Sequence, residues 1–172
     1  MKKFGLIGKK LSHSFSQAYF SKKFNELNLI DHKYDLYEIP SISEIKKILS
    51  ASDLVGLNVT VPYKQEVIPY LDSLDQSAER IGAVNVIKVA SEGSKKGYNS
   101  DYYGFKQSLA QWLPDNIKIQ ALILGSGGAS KAVKVALEDL QIDYKIVSRS
   151  PKEEEIGYSE LDKLFSEYQL II

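Results

Sequence analysis

Short apolar runs alternate with segments of helical periodicity along this chain, and the alternation restricts its fold more than any other feature. Residues 4–8, 33–39, 54–59, 84–89, 119–124, 144–148 and 170–172 are brief, apolar and bounded by turn formers, as strands are. Between them, Phe20, Phe24 and Leu27 fall at i, i+4, i+7, and Phe105, Leu109 and Trp112 repeat the spacing. Ala132, Val133, Ala136, Leu137 and Leu140 make one further apolar stripe. Strand and helix taking turns in this way predict an α/β protein with largely parallel sheets. A turn cluster at Leu113-Pro114-Asp115-Asn116 interrupts the series. It divides the chain into a lobe over residues 1–101, a linking helix and turn over 102–116, and a second lobe over 117–172.

Charge and composition exclude several functions. Lysine plus arginine and aspartate plus glutamate stand at 22 each, so no overall field draws the chain to nucleic acid or to an acidic membrane. No apolar run approaches the roughly 20 residues that span a bilayer. The N-terminal run is too short for a secretory signal and reads as a first strand. Zero cysteines remove disulfides, thiolate metal sites and cysteine nucleophiles, and two histidines are too few for an ordinary histidine metal centre. A cytoplasmic protein without a metal is expected, as a monomer or a homodimer.

The strand at 119–124 runs into Gly125-Ser126-Gly127-Gly128-Ala129 and then a helix. Glycines there permit a tight turn and a close approach of backbone to a pyrophosphate, while the helix N-terminus offers free N–H groups. Strand, glycine turn and helix together point to a Rossmann-like dinucleotide-binding domain. The next strand ends in Ser148-Arg149-Ser150, about 20 residues on, where an acid would bind the ribose 2′-hydroxyl of NAD. No acid is present, and Arg149 is one of two arginines against 20 lysines. A guanidinium between two hydroxyls suits a 2′-phosphate, so NADP is the expected cofactor.

Asn58-Val-Thr60-Val-Pro62-Tyr-Lys64 closes the third strand-like run. Pro62 cannot extend a ladder, so the strand should stop there and present Thr60 and Lys64 on a turn. Ser14 and Ser16 precede the helix carrying Phe20; either one serves as an N-cap, and the pair beside free N–H groups also suits a carboxylate. Gly82-Ala-Val-Asn85 leads into a strand. Gly97-Tyr-Asn99-Ser-Asp101 opens the linking helix, where Asp101 serves equally as a cap.

These segments, in this order, resemble the shikimate dehydrogenase family across essentially the whole chain. That family carries a Ser-x-Ser segment, then Asn-Val-Thr-x-Pro-x-Lys, Gly-Ala-x-Asn-Thr, Gly-x-Asn-Thr-Asp and a Gly-x-Gly-Gly turn. The resemblance implies an N-terminal substrate-binding domain, a Rossmann-like NADP domain, and reversible NADPH-dependent reduction of 3-dehydroshikimate to shikimate in aromatic amino-acid biosynthesis. It implies that Ser14 and Ser16 hold the substrate carboxylate and that Thr60, Asn85 and Asp101 bond its ring hydroxyls. Lys64 becomes the principal catalytic residue, with Asp101 beside it. Gly125, Ser126, Gly127, Gly128 and Ala129 face the pyrophosphate, and Ser148, Arg149 and Ser150 face the 2′-phosphate. Gln17 stands where a proline is usual, Val86 and Ser100 where threonines are, and Lys131 where an arginine is common.

A ketone receiving hydride builds negative charge on its oxygen, which a nearby ammonium stabilises and protonates. The second lobe offers three strands and two helices, the first half of a dinucleotide fold, and closes on the apolar run 170–172 as an unpaired edge. A fragment or a truncated enzyme of weak activity is the corresponding expectation. A quinate/shikimate dehydrogenase using NAD and a non-catalytic binder of shikimate or NADP are the alternatives.

Overall fold

Both faces of the first strand, Lys2–Gly8 (β1), are covered, because Leu6 joins one apolar cluster and its neighbour Ile7 another. Successive strand side chains point to opposite faces, so β1 sits inside a layered unit. The computed structural model describes residues 1–113 and 119–172 and divides into two units, Met1–Asn99 and Ser100–Ile172. Pro114, Asp115 and Asn116 of the expected turn, and the expected lobe start at 117, lie outside the described residues.

In the first unit, β1 leads to α1 (Ser16–Glu26), β2 (His32–Glu38), α2 (Ile45–Leu49) and β3 (Leu54–Val59). There follow β4 (Ser73–Leu74), α3 (Gln76–Ile81), β5 (Val86–Val89) and β6 (Lys95–Tyr98). The sheet order is β2-β1-β3-β5-β6-β4. β1 runs parallel to β2 and β3, whereas β5 is antiparallel to both β3 and β6. Sequence periodicity missed β4 and β6, which are short and carry few apolar residues. One face packs Ile7, Leu57, Val59, Val67 and Ile87 with Ile45 of α2 and Ala78 of α3. The other packs Leu6, Leu11 and Tyr34 with Phe20 and Phe24 of α1. Leu27, expected on that stripe, falls at the C-cap of α1 and is exposed, since the helix ends at Glu26.

In the second unit, α4 (Ser100–Trp112) precedes β7 (Gln120–Leu124), α5 (Gly128–Asp139), β8 (Asp143–Ser148), β9 (Glu155–Gly157) and β10 (Leu170–Ile171). The helix expected to link the lobes therefore groups with this unit. Its stripe is also shifted by a position. Phe105 and Leu109 enter the core, Leu113 takes the place four residues past Leu109, and Trp112 is 70% exposed. Polar contacts tie α4 to α5: the Tyr102 hydroxyl donates to the Asp139 carboxylate, which also receives the Lys106 ammonium at 3.1 Å.

The second sheet runs β10-β7-β8-β9 with every pair parallel. Four strands replace the expected three, because the short β9 gave no periodic signal. The run expected to be an unpaired edge pairs with β7 on one side, where Leu124 donates to the Ile172 carbonyl at 2.7 Å and Leu170 is buried, and among the described residues its other side is an edge of the sheet. β10 lies across β7 from β8, so the sheet extends past the first half of a dinucleotide fold to its fourth strand.

Candidate functional site

Strand order reverses at β1, which has β2 on one side and β3 on the other. Such a reversal opens a crevice outside the carboxyl ends of the strands, where α/β sheets take their ligands. The predicted residues of the first unit gather at this end of the sheet. Thr60 directly follows β3, and its N–H donates to the Ile7 carbonyl at 2.9 Å. The same turn carries a cis peptide between Val61 and Pro62, and Tyr63 closes it by donating to the Thr60 carbonyl at 3.0 Å. Tyr63 is itself buried, its hydroxyl donating to the Ile39 carbonyl at 2.7 Å, so the segment leading to Lys64 is anchored in the core.

Lys64 meets the next motif through its backbone. Its carbonyl accepts the N–H of Val84 at 2.7 Å, and the Asn85 carbonyl accepts the N–H of Val59 at 2.9 Å. Helix α3 delivers that segment. Asp75 caps its start by accepting the Ala78 N–H at 2.9 Å, and Gly82, at φ 66°, turns the chain out of the helix. Asn85 is buried, and its N–H donates to the Tyr98 carbonyl at the end of β6. One residue on, Asn99 is almost wholly buried and donates its side-chain amide to the Ala83 carbonyl at 2.9 Å. The Gly-Ala-Val-Asn and Gly-Tyr-Asn segments are thus locked together by an asparagine to which the sequence reading gave no role.

Ser14 lies between β1 and α1, and Ser16 is the first residue of α1. The Ser14 hydroxyl accepts the Ser16 N–H at 3.2 Å and keeps its own proton to donate, but neither serine is the expected N-cap: that position falls to Phe15, the residue between them, with no side-chain cap bond. Gly8 keeps this end of the sheet tight: a Cβ there would lie 2.6 Å from a Leu11 methyl and 2.7 Å from the Thr60 methyl. Tyr34 of β2 escaped sequence reading because nothing in its motif context distinguishes it from a core aromatic. Its hydroxyl donates to Asn58 Oδ1 at 2.8 Å, and burial pushes its pKa up to about 12 against a smaller opposing effect of the Ser16 side chain. Gln17 donates to the Tyr34 carbonyl at 3.3 Å, so the residue standing in the place of a proline makes a contact of its own.

The second unit holds the remaining candidates. Asp101 lies in the first turn of α4, where a carboxylate complements the positive end of the helix dipole. The glycine turn follows β7 at the second strand-order reversal, between β7 and β10. Gly125 adopts φ 124°, a conformation that L side chains rarely take, and its N–H donates to the Val147 carbonyl at 2.8 Å. Gly127 is the N-cap of α5, and no atom lies within 4 Å of the place a Cβ would occupy at Gly125 or Gly127. An open approach to free helix N–H groups fits a pyrophosphate. Ser126 and Ser148 bring their hydroxyls within 3.2 Å, and Ser148 also accepts the Ser150 N–H at 3.3 Å. Arg149, between them, is exposed, and Ala129 lies in the first turn of α5.

Among the described residues, no His, Cys, Asp or Glu group is arranged to hold a metal, and no helix is long and apolar enough to cross a membrane.

Comparison with known proteins bears on both units. The family described as shikimate dehydrogenase substrate binding domain matches residues 6–87. A shikimate dehydrogenase (NADP(+)) of Clostridium perfringens is 37% identical over 185 residues, spanning 99% of this chain and 67% of the relative. One from Staphylococcus aureus strain Newman is 41% identical over 137 residues, spanning 78% of this chain and 50% of the relative. The chain therefore spans between half and two thirds of the length of these curated relatives. Among solved structures, shikimate dehydrogenase from Aquifex aeolicus matches 99% of this chain and 67% of its own, with a TM-score of 0.86 at 31% identity. Shikimate 5-dehydrogenase from Thermus thermophilus, solved in complex with NADP(H) and shikimate, gives 0.82 at 28% identity, over 99% of this chain and 67% of its own.

Proposed function

The chain belongs to the shikimate dehydrogenase family, and on that premise we propose that it binds shikimate in the first unit and NADP in the second, as part of a reversible NADPH-dependent reduction of 3-dehydroshikimate. The observation that carries this reading is the backbone bonding of Lys64 to Val84 and of Val59 to Asn85. Two distant motifs are thereby drawn to the carboxyl end of one sheet, beside Thr60 and the Ser14–Ser16 segment.

Each side chain then has a task. Ser14 and Ser16 receive the carboxylate of the substrate. Thr60, Asn85 and Asp101 hydrogen-bond its ring hydroxyls. Lys64 faces the reacting oxygen, stabilises the charge that develops on it and supplies a proton as the ketone becomes an alcohol. NADPH, when bound, supplies the hydride. The glycine turn Gly125–Gly128, with Ser126 and Ala129, cradles the pyrophosphate at the start of α5, and Ser148, Arg149 and Ser150 bind the 2′-phosphate. The absence of an acid at the end of β8 favours NADP over NAD.

Calorimetric titration of the 172-residue chain with shikimate and with NADP, beside an assay of NADPH oxidation by 3-dehydroshikimate, tests this reading. Binding of both ligands supports it. A chain that binds neither overturns it, and binding without turnover identifies a non-catalytic binder.

A further inference from the structure

We propose that Tyr34 is a positioning residue for the substrate crevice, acting through the carboxamide of Asn58. The proposal rests on the reading of the crevice as a shikimate site and assigns a role to a residue outside every motif. Tyr34 is 3% exposed, so its hydroxyl requires a partner inside the unit. That partner is Asn58 Oδ1, which accepts the hydroxyl proton at 2.8 Å.

Occupying the oxygen of a carboxamide fixes which way its nitrogen points. The two N–H donors of Asn58 are turned away from Tyr34, on the strand face that Asn58 shares with Thr60 two residues later. Leu57 and Val59, pointing the other way, belong to the opposite core cluster, so Asn58 cannot rotate into that core without stranding its polar group. The ring that delivers the hydroxyl is held independently. It stacks on Phe20 with centroids 4.6 Å apart, and Gln17 bonds its backbone carbonyl. Both contacts come from α1, the helix that Ser14 precedes and Ser16 begins. Tyr34 thereby sets the Asn-Val-Thr segment against the Ser-x-Ser segment, and a ligand with a carboxylate at one end and ring hydroxyls at the other meets donors already oriented.

Tyr34→Phe removes the hydroxyl and keeps the stacked ring, so the fold is retained. Two readouts on the 172-residue chain test the role. The side-chain amide resonances of Asn58, recorded by NMR without ligand, should move and broaden in Tyr34→Phe while backbone amides of β1 and β5 stay in place. Shikimate affinity, measured by calorimetry, should fall about tenfold in Tyr34→Phe, and the same change should add almost nothing in an Asn58→Ala background. Unmoved Asn58 resonances, unchanged affinity, or losses that simply add across the two substitutions overturn the proposal. A wild-type chain that binds no shikimate overturns the reading of the site instead, and a displaced Asn58 amide in that same protein still supports the orienting role of Tyr34.

Discussion

The carbonyl of Lys64 accepts the backbone N–H of Val84 at 2.7 Å, so the turn bearing the lysine is fixed by an atom that no side-chain substitution removes. Lys64→Ala should therefore leave the turn intact. We expect NADPH-dependent turnover to drop on the order of a hundredfold or more, shikimate affinity to drop less than about tenfold, and the unfolding midpoint to stay nearly constant. Steady-state kinetics beside thermal unfolding check this. A variant with near-normal turnover removes Lys64 from the chemistry.

Asn99 gives the opposite case, a motif residue whose work is structural. Its amide donates to the Ala83 carbonyl in a site almost closed to water. Asn99→Ala should cost about 1–3 kcal/mol, because the carbonyl loses its partner in a place water cannot reach. Urea denaturation measures the loss. Stability within error of wild type would show that Ala83 needs no such partner.

Arg149 stands exposed between two serines that cluster at the end of β8. Arg149→Ala should weaken NADP binding by about tenfold or more and leave NAD binding nearly unchanged, since only the former carries a 2′-phosphate. Parallel titrations with the two nucleotides give the answer. Equal losses for both would place the arginine elsewhere than on that phosphate.

The raised pKa of Tyr34 has a consequence above neutrality. Burial holds the proton to about pH 12 in the folded chain, whereas an unfolded tyrosine releases it near its ordinary value of 10.0. Between those values the folded state binds the extra proton, so the contribution of Tyr34 to stability is complete below about pH 10 and is lost as pH rises toward 12. Denaturation curves of wild type and Tyr34→Phe over that window should converge as pH rises. Parallel curves would mean that the hydroxyl is not sequestered.

Much of this molecule is written locally. The strands at 54–59 and 119–124 are legible because they are apolar runs cut off by turn formers, and α5 because its stripe is continuous. What stayed hidden depends on partners distant in sequence. The strands β4, β6 and β9 are held by their neighbours more than by their own apolar content, so periodicity misses them. The same is true of the antiparallel direction of β5, which follows from where the chain goes after α3. Trp112 has the spacing of a core residue, but Leu113 completes the turn on that face first. The candidate polar residues were visible as motifs. Tyr34 was not, because its significance lies in a hydrogen bond across 24 residues of sequence.

Each candidate site lies where strand order reverses, at β1 in one sheet and at β7 in the other. Its location is therefore a property of the wiring, set by which side of a strand the chain crosses to next. Side chains at the rim decide what enters, but they do not hold the opening in place. Substitution of rim residues can then alter a ligand preference without having to invent a cavity. Evolvability of this kind is inherited from topology.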